Sequence, residues 1–164
     1  MPALALATSE LVRAANAAFP SATTEVAATL PVRAYVAYEV FADTGETPRW
    51  LSVIQAAHIL ERGIDGRPSK VSFRADFDRA TIGYVLHYQY RPEDLTVSWE
   101  SSRAGSLRVD GEARFQPLSD RACLMTYRLT LELPVNGDWI ERHYDGHAAS
   151  AVVGDFREHL RRCV

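Results

Sequence analysis

Arg142 and Asp145 stand three positions apart in a segment whose apolar residues repeat at helical spacing, and an Arg beside a carboxylate can hold an acidic group and move a proton. Ala149, Val153, Phe156 and Leu160 follow steps of four, three and four, with Val152 and Cys163 on the flanks, so a helix from about Asp138 to Arg162 should press this stripe onto the rest of the fold. Extended backwards, the stripe reaches Asp145 or Gly146 and then Arg142, which places the pair at the mouth of whatever the helix covers. There the guanidinium can bind a carboxylate or enolate oxygen, and a carboxyl group in apolar surroundings acquires a raised pKa suited to proton transfer. The same two side chains also read as a surface ion pair beyond the edge of the fold.

The other candidates carry less. His143 and His147 lie four apart, as a metal would require on a helix, but their side is turned away from the apolar stripe and no Cys or carboxylate accompanies them at ligand spacing. No metal and no cofactor is expected. Asp76 and Asp78 form a carboxylate pair, yet alternation with Phe73, Ala75 and Phe77 sends both to the wet side of a strand. His58 and His87 face solvent by the same argument. The chain contains no G-x-S-x-G, no G-x-G-x-x-G and no phosphate-binding loop.

The elements that position these groups are legible from periodicity. Between Ala80 and Leu133 apolar and polar residues alternate: Ile82, Tyr84, Leu86, Tyr88 and Tyr90 share a face, as do Leu95, Val97 and Trp99. Leu107, Val109, Gly111, Ala113 and Phe115 form a third row, and Cys123, Met125, Tyr127, Leu129, Leu131 and Leu133 a fourth. One dry face and one wet face mark antiparallel strands that cover a core on one side. Upstream, a strand from about Ser21 to Thr29 precedes a helix from Pro31 to Ala42 and a second short helix ending near Trp50. Strands near Val53 to Glu61 and Lys70 to Asp78 flank a turn containing Asp65-Gly66.

A sheet of about seven strands is too broad for one helix to cover, so its dry face must curl around a space or be filled by bulky side chains. Small residues (Ala75, Gly111, Ala113) sit there among large ones, and four phenols on an apolar face need hydrogen-bond partners. The expected cavity is lined by Phe73, Tyr84, Tyr88, Tyr90, Trp99, Gly111, Phe115, Met125 and, from the helix, Ala149, with Tyr127 as a donor. Close packing of the same aromatics is the alternative.

The stretch Asp43-Thr-Gly-Glu-Thr-Pro48-Arg49-Trp50-Leu51 resembles the turn between the two short helices of the polyketide cyclase/dehydrase and lipid-transport family, within the helix-grip superfamily. Tyr84-x-Leu-x-Tyr-x-Tyr90, Val97-Ser98-Trp99, Gly105-Ser-Leu107, Asp110-Gly111 and Thr126-Tyr127-Arg128-Leu129 are similar in order and spacing to members of that family. The resemblance runs from about Ser21 to the C-terminus and implies an α+β helix-grip fold, with residues 1–20 as an extension that could hold a short helix. It also implies an apolar or aromatic small molecule as partner, cyclised or dehydrated if polyketide-like; the catalytic groups expected from the residues themselves are Tyr127, Arg142 and Asp145. A non-catalytic carrier of lipid or isoprenoid, or an interaction module, is the other reading.

Composition excludes several classes. The chain has 164 residues, 47% hydrophobic and 24% charged, the size and make-up of one globular domain. A formal charge of −3 gives no footprint for a phosphate backbone, so no nucleic-acid partner is expected. No apolar run reaches the roughly 20 residues of a membrane span. Cys123 and Cys163, on a dry strand face and at a helix end, do not suggest a disulfide, and a cytoplasmic location is expected.

Overall fold

The computed structural model describes residues 21–77, 80–102, 107–132 and 147–164. Strand β1 (Ser21–Leu30) leads into helix α1 (Ala34–Ala42) and a 3-10 helix (Thr44–Arg49); then come β2 (Ile54–Arg62), β3 (Pro68–Phe77), β4 (Ala80–Arg91), β5 (Thr96–Ser101), β6 (Arg108–Ser119), β7 (Ala122–Glu132) and helix α2 (Ala148–Arg162). The seven strands form one antiparallel sheet in the order β1-β7-β6-β5-β4-β3-β2. Every link except β1 to β7 joins sequence neighbours, which is the short-connection solution for strands with one dry face. This is the α+β helix-grip fold expected from the sequence.

Alternation decides which side is dry. Val71, Phe73, Ala75, Leu86, Val97, Trp99, Ala113, Phe115, Cys123, Met125, Tyr127 and Leu129 are all buried, whereas Arg74, Asp76, His87, Arg114 and Arg128 on the opposite parity are exposed. Thr96 breaks the rule: it is 1% exposed although its parity is wet, because its hydroxyl turns back to donate to the Asp94 carbonyl at 3.2 Å. Leu95 beside it holds φ at 50°, the left-handed conformation that lets the β4–β5 turn close.

Helix α1 begins at Ala34, three residues after the Pro31 start expected, because Arg33 is extended at φ −65°, ψ 153°. Its buried residues, Ala34, Ala37, Tyr38, Phe41 and Ala42, recur at the spacing of one helical face. Helix α2 likewise buries Ala148, Ala149, Val152, Val153, Phe156 and Leu160. Phe156 and Leu160 are 0% and 1% exposed, and burial of each such side chain is worth about 1.5 to 3 kcal/mol.

The start of α2 is the main correction to the sequence reading. The helix was expected from Asp138, but its described part opens at Ala148 with His147 as the N-cap at φ −118°, ψ 37°, which is not helical geometry. The helical stripe is therefore interrupted at His147. Arg142 and Asp145, like Asp78, His143, Leu133, Gly105 and the extension 1–20, lie outside the described residues.

Candidate functional site

The curled sheet leaves a space against the helices, a cavity of about 110 Å³. The helical pair supplies Phe41, Thr44 and Thr47, and the loop into β2 supplies Trp50, Leu51 and Val53. Phe73, Ala75, Phe77, Tyr84, Leu86, Tyr88 and Trp99 come from β3 to β5. Val109, Tyr127, Leu129 and Leu131 come from β6 and β7, while Ala148 and Val152 close the top from the first turns of α2. No Asp, Glu, Lys, Arg or His belongs to this wall among the described residues. Room for several waters in an apolar setting is how small-molecule sites are built, though this one is tighter than the roughly 300 to 1,000 Å³ of drug-sized pockets.

Aromatic rings set its shape. Phe41 lies 5.9 Å from Trp99, 6.4 Å from Tyr127 and 5.7 Å from Trp50, centroid to centroid. Trp99 and Tyr127 are 5.5 Å apart, and Phe73 and Tyr84 5.7 Å. Phe156 inserts its edge between Phe41 at 5.4 Å and Trp50 at 5.0 Å, tying α2 to the helical pair. These tilted and edge-on arrangements suit the ring quadrupoles and stiffen the wall. On the rim, Asp155 of α2 accepts from the Ser52 backbone N–H at 3.1 Å and from its hydroxyl at 2.9 Å, which pins the loop carrying Trp50, Leu51 and Val53.

The polar groups of the wall differ in what they touch. The Thr47 hydroxyl donates to the Thr44 carbonyl at 2.8 Å, and the Thr44 hydroxyl reaches the Tyr90 oxygen at 3.2 Å. By contrast, the Trp50 indole N–H is buried with no hydrogen-bond partner among the described residues. Tyr88 is half-buried, its hydroxyl has no partner among the described residues, and burial, with the Tyr84, Tyr90 and Tyr127 phenols adding to it, holds that hydroxyl's pKa well above 10.0. It therefore stays a neutral donor at any ordinary pH.

Of the residues expected to line the cavity, Phe73, Tyr84, Tyr88, Trp99 and Tyr127 do so. Tyr90 does not: its hydroxyl donates to the Pro68 carbonyl at 2.6 Å, accepts from Thr44, and its ring carries the Arg67 guanidinium 5.5 Å from the centroid. Phe115 and Met125 are 1% and 0% exposed and belong to the packed core, as does Ala149 at 1%. The room expected over Gly111 is taken by Trp99, its register partner on β5: a Cβ there would lie 2.4 Å from the indole and 2.5 Å from the Arg128 carbonyl oxygen. Asp76 faces solvent as expected and accepts from Gln55 at 3.0 Å. Among the described residues no group of His, Cys, Asp and Glu could hold a metal ion, and no helix is long and apolar enough to cross a membrane.

Besides Phe41 and the aliphatic residues of the wall, Thr44, Thr47 and Trp50 line the cavity outside the expected set, and they bring its additional polar groups. Their signal was the Pro48-Arg49-Trp50-Leu51 turn, which had been used for the fold and not for the site.

An antiparallel sheet closed by a C-terminal helix over an apolar cavity defines the helix-grip class. The chain belongs to the polyketide cyclase/dehydrase and lipid transport family, whose model matches residues 21–164. Among curated proteins none matches significantly. Its fold is similar to that of a START superfamily protein from Mycobacterium smegmatis, at 17% identity over 87% of this chain and 99% of the other, with TM-score 0.74. The Zhui aromatase/cyclase from Streptomyces sp. R1128 superposes with TM-score 0.72 at 14% identity, over 87% of this chain and 94% of that one. The di-domain ARO/CYC StfQ from the steffimycin biosynthetic pathway matches 85% of this chain and 45% of its own, at 17% identity and TM-score 0.65.

Proposed function

We propose that the cavity takes an apolar or aromatic small molecule and cyclises or dehydrates a polyketide-like substrate. The observation that carries this reading is the wall itself, built of aromatic and aliphatic side chains with a few neutral hydrogen-bonding groups and, among the described residues, no charge. Such a site works chiefly by orientation: it folds a flexible chain so that a nucleophilic carbon meets a carbonyl, and converts an encounter into an intramolecular step. Neutral phenols such as Tyr127 would support the oxyanion that develops on that carbonyl. Arg142 as an anchor for an acidic end and Asp145 as a proton carrier belong to the proposal through their charge and their nearness in sequence to the Ala148 end of α2, since the helical stripe that first suggested them is interrupted at His147.

Non-catalytic carriage of a lipid or isoprenoid is favoured by one specific observation, the lack of a carboxylate, lysine or histidine for proton transfer in the described wall. Native mass spectrometry of the protein purified from its own host separates the two. Incubation of the released molecule's linear precursor with fresh protein should give a cyclised isomer of unchanged mass but altered ultraviolet spectrum, or a product lighter by one water, if the site is a cyclase/dehydrase. Recovery of the precursor with mass and spectrum both unaltered identifies a carrier, and no bound molecule at all overturns the cavity reading.

A further inference from the structure

We propose that Tyr88 is the group that selects the ligand: its hydroxyl donates a hydrogen bond to a carbonyl oxygen of an uncharged aromatic compound of about one to three rings. This deepens the cavity reading above and rests on it. Tyr88 and Tyr90 stack at 6.1 Å on the same strand face, yet of the two only the Tyr90 hydroxyl finds a partner among the described residues. The Tyr88 ring is held by Phe73 at 6.4 Å and Trp99 at 6.3 Å, so its hydroxyl is presented from a fixed position.

The chemistry of the complement follows from what surrounds that hydroxyl. A phenol in an apolar chamber with no protein partner among the described residues has only water to bond to, and a ligand oxygen can take that water's place. A carboxylate or phosphate is a poor fit at this depth, because the described wall offers no cation against the cost of desolvating a charge. A ketone or aldehyde oxygen on an aromatic frame satisfies both demands. The rings of Phe41, Trp99 and Tyr127 supply faces for the frame. The Trp50 N–H is sealed within the packing and its neighbours there are the Phe41 and Phe156 rings, which leaves the Tyr88 hydroxyl as the donor that can reach a ligand.

The test uses two probes of one shape, 2-acetylnaphthalene and 2-isopropenylnaphthalene, in which a methylene replaces the carbonyl oxygen, titrated calorimetrically into the full chain. The wild type should bind the ketone roughly tenfold more tightly than the alkene. Tyr88→Phe should bring the two to equal affinity while leaving the alkene unchanged, and Tyr35→Phe, on the exposed face of α1, should keep the tenfold preference. Tyr88→Met serves the same purpose if the Phe variant does not fold. Equal binding of both probes to the wild type, or a preference that survives at Tyr88→Phe, overturns the role of Tyr88 while the cavity stands. Binding of neither probe overturns the cavity reading and this inference together.

Discussion

Tyr88 and Tyr90 lie two residues apart on one face of β4, with rings nearly parallel at 17°, and the fold uses them in opposite ways. Around Tyr90 the hydroxyl bonds are made: Pro68 accepts its proton, Thr44 donates to its oxygen, and Arg67 lies over its ring while pairing with Glu39 at 2.7 Å. Around Tyr88 the phenol opens onto the cavity. One end of the dry face is thus a sealed clasp between the β2–β3 hairpin and the helical pair, and the other is a chamber. An aromatic stripe in a sequence can be core, clasp and site within one strand, and only the partners of each hydroxyl distinguish them.

Helix α2 allows the sharpest break between packed and open regions. Phe156 fills the packed side, so Phe156→Ala should cost about 3 to 5 kcal/mol. Val152→Ala, on the cavity roof, removes less volume from a place already empty on one side and should cost well under half of that. Chemical denaturation of both variants measures the difference, and similar losses would mean that the roof is as tightly packed as the core.

Gly111→Ala should destabilise by about 1 to 3 kcal/mol, because the new Cβ collides with the Trp99 ring and with a backbone oxygen that cannot yield. The indole is the part able to move, and it moves into the cavity, so probe binding should weaken as stability falls. A variant with wild-type stability would show that the ring does not cover Gly111.

Tyr90→Phe strips the clasp of its hydroxyl and leaves the Pro68 carbonyl without its donor, a loss of about 1 to 3 kcal/mol. Tyr88→Phe removes a hydroxyl that has no partner among the described residues and should leave the melting temperature unchanged or slightly higher. Equal destabilisation by the two would erase the distinction between clasp and chamber.

The response to alkali appears only far from neutral pH. Burial raises the Tyr90 phenol from 10.0 to about 12 and the Cys123 thiol from 9.0 to about 11. For acids whose folded pKa is raised, the stabilisation is complete below the unfolded value and is lost as pH climbs towards the folded one. The melting temperature should therefore be flat up to about pH 9 and fall above it, and Cys123→Ala should remove the first part of the fall. A steady decline beginning near neutrality would contradict these shifts.

The sheet was legible in the sequence because a period of two is a local signal that needs no knowledge of partners: the dry parity of β3 to β7 held almost residue by residue, with the buried Pro68 and Thr96 departing from it. Element starts were less so. Pro31 marked the approach to α1 but not its first turn, and the stripe of α2 said which face is buried without saying where the helix begins. The site divided along the same line. Parity placed Tyr84, Tyr88, Trp99 and Tyr127 on the correct face, but it could not show that Trp99 would fold over its cross-strand neighbour Gly111. Nor could it show that Tyr90 would be claimed by Pro68 and Arg67, whose approach depends on the β2–β3 turn closing against α1. Those facts are made by distant segments meeting, and no local pattern carries them.

Tyrosine labelled with 13C at Cζ reports the hydrogen bonding of each of the seven phenols directly, once each signal is assigned by its Tyr→Phe variant. On addition of 2-acetylnaphthalene the Tyr88 signal should shift as its hydroxyl finds the ketone oxygen, with no such shift on addition of 2-isopropenylnaphthalene and no movement at Tyr90 with either. A Tyr88 signal that ignores the ketone, or one that moves equally with both compounds, would contradict the claim that this hydroxyl is the open polar point of the cavity.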